Sequence, residues 1–162
     1  MLRPVLFAVL CAALFIPPAS ARPDGPLEAY LDYEASQLVL EMPAVGTLTD
    51  GFGPRWGRLH AGIDVGALKS LDVDAAAAGL VTKTGWLAGY SGYGQVVLVE
   101  LGNGRETLYA HLSRVDVKPG EWVVAGQHLG LAGCTGSCTG THLHFELHVR
   151  GRAVDPMPFV AR

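Results

Sequence analysis

Glycine constrains the fold of this chain more than any other residue type does. It accounts for 21 of the 162 residues, roughly twice its usual share of about 7%. Each glycine inside a helix costs about 1 kcal/mol relative to alanine, so a bundle of helices is disfavoured. Glycine is favourable in tight turns, where the backbone often adopts positive φ angles. We therefore expect short strands joined by tight turns.

A predicted β-hairpin lies in the middle of the chain. Residues Gln95–Leu101 and Arg105–His111 have the composition of strands, and Gly102-Asn103-Gly104 separates them. Two such runs joined by a loop containing Asn-Gly are typical of a hairpin. Because the connections are short, neighbouring strands should be antiparallel. The sequence predicts an all-β fold, a single antiparallel β-sheet domain with a short N-terminal arm that is helical or irregular. Further strands are predicted at 79–84, 121–124, 129–132 and 142–149.

The charge content excludes two classes of protein. Charged residues make up 17% of the chain and apolar residues 49%, which argues against an intrinsically disordered chain. The formal net charge is −3, whereas nucleic-acid binders carry a basic patch and a high isoelectric point. We expect no nucleic-acid partner.

Residues 1–21 have the pattern of a secretory signal peptide. Arg3 supplies a positive start, and the apolar run Val5–Ile16 is too short to span a bilayer. Ala19-Ser20-Ala21 matches a signal-peptidase site. A leucine precedes Cys11, where lipidation would need a small residue, so we expect cleavage rather than a lipid anchor. A buried N-terminal helix is the less favoured alternative. The mature protein is expected to be periplasmic or extracellular, with no integral membrane segment.

Export also bears on the two cysteines that cleavage would leave, Cys134 and Cys138. In an oxidising compartment an even pair is typical of a disulfide, and Gly136 between them can allow the required turn. Two free thiols, or thiolates on a metal, are the alternatives. A disulfide this short would mainly stiffen a local loop.

Residues 22–43 differ from the rest of the mature chain. They begin with Arg22-Pro23-Asp24-Gly25-Pro26, end at Pro43 and carry a weak helical period between these points. A packing arm, a propeptide-like cover and a plain linker all fit this pattern. We expect residues 22–43 to form an arm or linker and residues 44–162 to form the domain.

One predicted strand carries alternating histidines. On a strand, alternate side chains share a face. Two imidazoles two residues apart lie about 6–7 Å apart at Cα, close enough to act on one metal ion or one water. A solvated outer face is the alternative, although such a face usually carries Lys, Thr or Glu. The apolar face is Leu143, Phe145, Leu147 and Val149, and the polar face is His142, His144, Glu146 and His148.

His60 and Asp64 form a second candidate pair, because both residue types bind zinc. On a straight strand their Cα atoms would lie about 13 Å apart, too far for one ion. The chain must therefore bend between them, and Gly62 is the expected hinge. A surface histidine beside an unrelated aspartate is the alternative.

Two more histidines complete the set. His111 ends the second strand of the predicted hairpin, where a lone histidine is more often structural, and His128 is interpreted as a turn or surface residue. A hydrolytic zinc site needs three protein ligands and a free position for water. It also needs a proton carrier with a pKa near neutrality, which histidine supplies. The residues alone leave open which histidines bind metal and which carry protons.

These motifs, in this order, resemble the lysostaphin/LytM-type zinc metallopeptidases. The resemblance rests on His60-x-x-x-Asp64, on Tyr109-x-His111-Leu112 and on the run Thr139–Glu146. It extends from about Met42 to Phe159 and includes several shorter matches. These are Gly51-Phe52-Gly53-Pro54-Arg55, Pro119-Gly120, Gly126-Gln127 and Val154-Asp155-Pro156.

The resemblance implies an antiparallel β domain with a substrate groove. It implies Zn²⁺ ligands at His60, Asp64 and His144, and it gives His111 and His142 the roles of activating water and stabilising the transition state. It also implies an endopeptidase that cuts the stem or bridge peptides of bacterial peptidoglycan. The alternative is a non-catalytic wall-binding regulator of other hydrolases, and an activator protein is a further possible partner.

Two features depart from the family pattern. Thr141 replaces a proline that often precedes the His-x-His motif, with little expected effect. The cysteine pair lies in the loop before that motif, where a disulfide would brace one wall of the groove.

Overall fold

The structure is a computed structural model, and it describes residues 38–55 and 57–161. Within these residues the chain forms thirteen strands and two short 3₁₀ turns, Ser91–Tyr93 and Met157–Phe159. The strands are β1 Thr47–Asp50, β2 Gly53–Arg55, β3 Arg58–His60, β4 Ile63–Gly66, β5 Asp72–Asp74, β6 Gly79–Trp86, β7 Gln95–Gly102, β8 Arg105–Leu112, β9 Arg114–Val115, β10 Trp122–Val123, β11 His128–Leu131, β12 Leu143–Val149 and β13 Arg152–Val154.

The main sheet has eight strands in the order β1-β4-β12-β8-β7-β6-β10, with β13 paired to β12. Two smaller sheets, β5-β11-β9 and β2-β3, accompany it. All of these strand pairs are antiparallel. The predicted all-β antiparallel class is therefore confirmed.

The predicted hairpin is present as β7 and β8. Its turn contains Asn103 and Gly104, whose φ angles are +55° and +69°. Two consecutive positive φ angles match the twist of the flanking strands, and an Asn-Gly pair adopts them at low cost. This hairpin joins two of the longest strands of the main sheet.

The two faces of the main sheet have different roles. On β12 the predicted apolar side chains Leu143, Phe145 and Leu147 are fully buried in the larger core cluster. The opposite face carries a smaller buried cluster, with Leu108 and Ala110 on β8 as members. The alternation of β12 therefore separates the core from the face that carries the polar residues.

Part of the segment 22–43 lies within the described residues. Leu40 is fully buried, and its backbone hydrogen-bonds with Phe159 and Ala161 near the other end of the domain. Residues 38–43 thus pack on the domain, while residues 22–37 and the predicted signal peptide at 1–21 lie outside the described residues. In the part of the chain that the structure describes, no helix is long and apolar enough to cross a bilayer.

Candidate metal centre

Three ligand-type side chains meet on the polar face of the main sheet. His60 ends β3, Asp64 lies on β4 and His144 lies on β12, directly opposite Asp64 in the strand register. All three are buried. His144 Nδ1 lies 2.8 Å from Asp64 Oδ1 and 3.1 Å from His60 Nε2, and His60 Nε2 lies 3.3 Å from Asp64 Oδ1. We call these residues the ligand cluster.

The spacing of the ligand cluster fits a tetrahedral metal ion. Protein nitrogen and oxygen atoms bind zinc at about 2.0–2.2 Å, which separates neighbouring ligand atoms by about 3.3 Å in a tetrahedron. The three observed separations lie at or slightly below this value. Two imidazoles and one carboxylate are also ligand types that zinc takes in catalytic sites.

The outer nitrogens of the two ligand histidines are held by acceptors. His60 Nδ1 donates to the Gly51 carbonyl over 2.7 Å, and His144 Nε2 donates to Glu146 Oε1 over 2.8 Å. When each ring is neutral with its N–H on the outer side, its inner nitrogen presents a lone pair to the cluster. Metal-binding histidines are commonly oriented by outer partners of this kind.

Glu146 is the most buried charged group around the cluster, with 1% of its surface exposed. Its Oε1 also accepts from the Tyr93 hydroxyl over 2.7 Å, and its Oε2 accepts from His148 Nε2 over 2.5 Å. Burial opposes ionisation of Glu146, but the hydrogen bonds from His144, His148 and Tyr93 outweigh it and lower its pKa to about 2. Glu146 is therefore a carboxylate that orients His144.

The electrostatics of the cluster favour a positive charge at its centre. Burial raises the pKa of Asp64, but contact with His144 and the nearby imidazoles outweighs it and lowers that pKa to about 2. Burial likewise lowers the pKa of His144, whereas Asp64 and Glu146 together raise it above its usual value. Asp64 is thus an ionised carboxylate at the position where a cation would bind, and Glu146 is a second ionised carboxylate on the outer side of His144.

Gly62 allows the cluster to form, although not through a left-handed backbone. The chain does bend between His60 and Asp64, yet Gly62 is not among the residues with positive φ. The backbone of β12 passes so close that a Cβ on Gly62 would lie 2.2 Å from the Phe145 carbonyl oxygen. Glycine is needed here for close packing of two backbones.

His111 and His142 lie next to the ligand cluster, with their ring centroids 4.7 Å apart. His111 Nδ1 donates to the Thr135 carbonyl over 2.8 Å, and His142 Nδ1 donates to the Gly140 carbonyl over 2.7 Å. Both rings therefore keep Nε2 unprotonated when neutral, and His142 Nε2 lies 3.7 Å from Asp64 Oδ1. Burial lowers the pKa of His111 below its usual value, which favours the neutral ring.

A β-bulge places His111 on the face that carries the site. Gln95 pairs with Leu112 and Val97 pairs with Tyr109, so β8 has one residue more than β7 across this interval. His111 has a φ of +60°, a conformation that costs a residue with a Cβ about 1–2 kcal/mol. Without the extra residue, His111 would share the core face with Tyr109, since side chains two apart point the same way.

The structure pairs Cys134 with Cys138, whose Cα atoms lie 5.3 Å apart. Cys138 Sγ lies 3.8 Å from His142 Nδ1. The paired cysteines thus lie beside one of the histidines that the sequence singled out, in the loop that precedes β12.

A cavity of about 530 Å³ opens over these groups. The ligand cluster, His111 and His142 all line it, together with Tyr93 and Cys138. Its size is within the range of about 300–1,000 Å³ that is usual for binding pockets. The five site residues expected from the sequence therefore lie around one cavity.

His128 lies outside the site, and two other contacts of the site were not predicted from the sequence. His128 is partly exposed, begins β11 and contacts Asp116, away from the cavity. The alternating pattern places Glu146 on the polar face without giving it a role, and no motif points to Tyr93. Glu146 could have been suspected, because it follows His144 by two residues on one strand face.

The chain is similar in sequence and in fold to known peptidases. The family model for Peptidase family M23 matches residues 58–156. The DD-carboxypeptidase/endopeptidase Mpg of Neisseria meningitidis serogroup B is 43% identical over 100 residues, 62% of this chain and 22% of Mpg. A zinc-containing peptidase from Vibrio cholerae has a TM-score of 0.66 at 33% identity, over 74% of this chain and 39% of that one. The catalytic domain of lysostaphin from Staphylococcus simulans has a TM-score of 0.60 at 31% identity, over 78% of this chain and 95% of that one.

The chain spans about a fifth of the length of the curated relatives that it matches first. The shared region contains the ligand cluster, His111 and His142.

Proposed function

This chain belongs to Peptidase family M23, and on that premise we propose that it is a zinc-dependent endopeptidase that hydrolyses peptide cross-links of bacterial peptidoglycan. One observation carries the proposal. Four imidazoles line one cavity, each has an outer nitrogen held by a carbonyl or carboxylate, and two of them meet Asp64 within 3.3 Å. This arrangement supplies metal ligands and proton carriers together.

We propose His60, Asp64 and His144 as the ligands of Zn²⁺. Their donor set and spacing support this choice, as do the outer hydrogen bonds of both histidines. When bound, zinc supplies Lewis acidity, which lowers the pKa of water toward 7 and polarises a scissile carbonyl. Glu146 holds the His144 ring in the orientation that directs Nδ1 toward Asp64 and His60.

We propose His111 and His142 as the proton-handling residues. Their Nδ1–H groups are held by carbonyls, so Nε2 is the atom that can accept the proton lost by the attacking water. The same atom can then return the proton to the amine of the departing peptide, so that the enzyme ends the cycle unchanged. The lowered pKa of His111 keeps Nε2 available at neutral pH.

The proposed substrate is the stem or bridge peptide of peptidoglycan. Mpg, a relative of this chain, is named a DD-carboxypeptidase/endopeptidase. The further assignments are that residues 1–21 direct export, residues 22–43 form an arm or linker and residues 44–162 form the catalytic domain, on which residues 38–43 pack. We accordingly place the protein in the periplasm or outside the cell, where peptidoglycan is accessible.

The test is release of soluble muropeptides from purified peptidoglycan, with zinc content measured on the same sample. We expect one zinc per chain and soluble products whose masses identify the bond cut. His60→Ala should lose both zinc and cleavage. His128→Ala is the matched control, because it removes a histidine away from the cavity, and it should retain both. Cleavage that persists in His60→Ala, or in the zinc-free protein, would exclude the proposal.

The non-catalytic alternative predicts a different result. A wall-binding regulator would sediment with peptidoglycan without releasing muropeptides. The complete ligand set favours the enzyme, since a regulator has no need for oriented metal ligands. Sedimentation without solubilisation, by zinc-loaded protein, would favour the regulator.

A further inference from the structure

One short loop supplies the hydrogen-bond acceptors of both proposed proton carriers. The Thr135 carbonyl accepts from His111 Nδ1, and the Gly140 carbonyl accepts from His142 Nδ1. We call residues 134–140 the bridged loop, because Cys134 and Cys138 are paired within it. The two histidines come from different parts of the sequence, so this loop is what they share.

The first half of the bridged loop is anchored to the domain. The Thr135 hydroxyl donates to the Leu112 carbonyl over 2.8 Å and accepts from the Gln95 amide over 3.0 Å. The Ser137 amide donates to the Gly92 carbonyl over 2.8 Å. The position of Thr135 is thus fixed relative to the end of β8, where His111 lies.

The centre of the loop is packed against the turn before β7. Gly136 has a φ of +73°, and a Cβ there would lie 2.4 Å from the Gly94 amide nitrogen. The loop closed by the two cysteines therefore has a fixed position on the domain. From this packed part of the loop, Cys138 extends toward His142.

The second half of the loop carries the Gly140 carbonyl, and its residues Thr139 and Gly140 are exposed. A Cβ on Gly140 would meet no atom within 4 Å, so packing does little to fix this residue. The disulfide links this half to the anchored half through Cys138. A covalent link of this kind restricts the positions that Gly140 can adopt.

We propose that the Cys134–Cys138 disulfide positions His142 by tying the Gly140 carbonyl to the anchored half of the bridged loop, which holds the Thr135 carbonyl and, through it, His111. This inference rests on the proposed function, because it assigns the disulfide a role in that reaction. The disulfide is a positioning element and not a ligand of the metal. When it forms, the two thiols lose two electrons and two protons to the disulfide of a thiol oxidant, which leaves as a dithiol.

The test compares the zinc-loaded wild type with the Cys134→Ser/Cys138→Ser variant. Thiol titration and intact mass first establish the disulfide in exported wild-type protein. A phosphine reductant then opens it in the wild type; the phosphine gains oxygen from water, and each sulfur gains a proton. The variant treated with the same reductant is the matched control for effects unrelated to the disulfide.

Three readouts are taken from each sample. They are kcat and KM on a soluble cross-linked muropeptide, the zinc content, and the ¹H–¹⁵N spectrum of the imidazoles, which distinguishes protonation at Nδ1 from protonation at Nε2. In the reduced wild type and in the Cys134→Ser/Cys138→Ser variant, we expect kcat to be about 10- to 100-fold lower than in the oxidised wild type, as when other outer partners in metal sites are lost. We expect KM to change little and the zinc content to stay complete. The Nδ1–H signal of His142 should broaden or move more than that of His111, and reoxidation should restore the wild-type signals.

Several results would overturn the inference. These are two free thiols in the exported protein, an unchanged kcat after reduction, or loss of zinc together with activity. If the oxidised protein cleaves no peptidoglycan, the proposed function fails while the spectra still test the inference. Imidazole signals that are identical in oxidised and reduced protein would then reject it.

Discussion

Glu146 offers the sharpest test of how the ligand cluster is held. The perturbation is Glu146→Leu, which keeps a side chain of similar size but removes the acceptor of His144 Nε2. We expect the variant to bind zinc more weakly and to remain folded.

The size of the expected loss of zinc affinity depends on which hydrogen-bond donors lose their acceptor in Glu146→Leu. Glu146 accepts from three donors, but Tyr93 and His148 are partly exposed and can turn to water. His144 is only 6% exposed, so its N–H would stay without a partner. A buried donor without a hydrogen-bond partner lowers the free energy of unfolding by about 1–3 kcal/mol. Loss of an outer partner weakens metal binding about 10- to 100-fold, which corresponds to about 1.4–2.8 kcal/mol.

The matched variant is Glu146→Gln. Its amide oxygen can still accept from His144, while the negative charge is lost. We therefore expect a smaller loss of zinc affinity than in Glu146→Leu. The assay is competition for zinc against a chromophoric chelator at fixed pH, with thermal unfolding of the metal-free proteins to check that all are folded.

Two results would refute this reasoning. If Glu146→Leu binds zinc as tightly as the wild type does, the hydrogen bond to His144 does not orient the ligand. If Glu146→Gln loses as much affinity as Glu146→Leu, the charge of the carboxylate matters and its acceptor geometry does not.

Two further predictions concern backbone geometry. Gly62→Ala should lower the free energy of unfolding by about 1–3 kcal/mol, measured by urea denaturation, because a Cβ would strike the Phe145 carbonyl; Gly51→Ala, where a Cβ meets nothing within 4 Å, should unfold like the wild type, and equal losses in both would contradict the packing argument. His111→Gly should be more stable than His111→Ala by about 1 kcal/mol, because glycine tolerates the φ of +60°; both should lack peptidase activity, and equal stability would show that the bulge relaxes.

Local patterns predicted much of the fold. The hairpin of β7 and β8 could be placed because strand composition and an Asn-Gly turn lie next to each other in the sequence. The two faces of β12 could be assigned because alternation is a property of one strand. Both predictions needed only neighbours along the chain, and the structure agrees with both.

Features that depend on other strands could not be predicted in this way. The bulge at His111 depends on how β8 pairs with β7, and alternation alone places His111 on the core face. The need for glycine at position 62 depends on how close β12 passes, and the sequence suggested a hinge instead. The role of Glu146 depends on the ring of His144 having its Nε2 on that side.

The register of β12 determines whether the three proposed metal ligands can meet. His144 lies opposite Asp64 on one side and opposite Ala110 on the other, so two neighbouring strands fix its position. If β12 paired one residue out of register, Phe145 would lie opposite Asp64, and the histidines would point into the hydrophobic core. Misfolded chains with shifted pairing would therefore have no zinc affinity, and metal present during folding would stabilise the correctly paired chain alone. Zinc would thus act as a check on strand pairing before it takes part in any reaction.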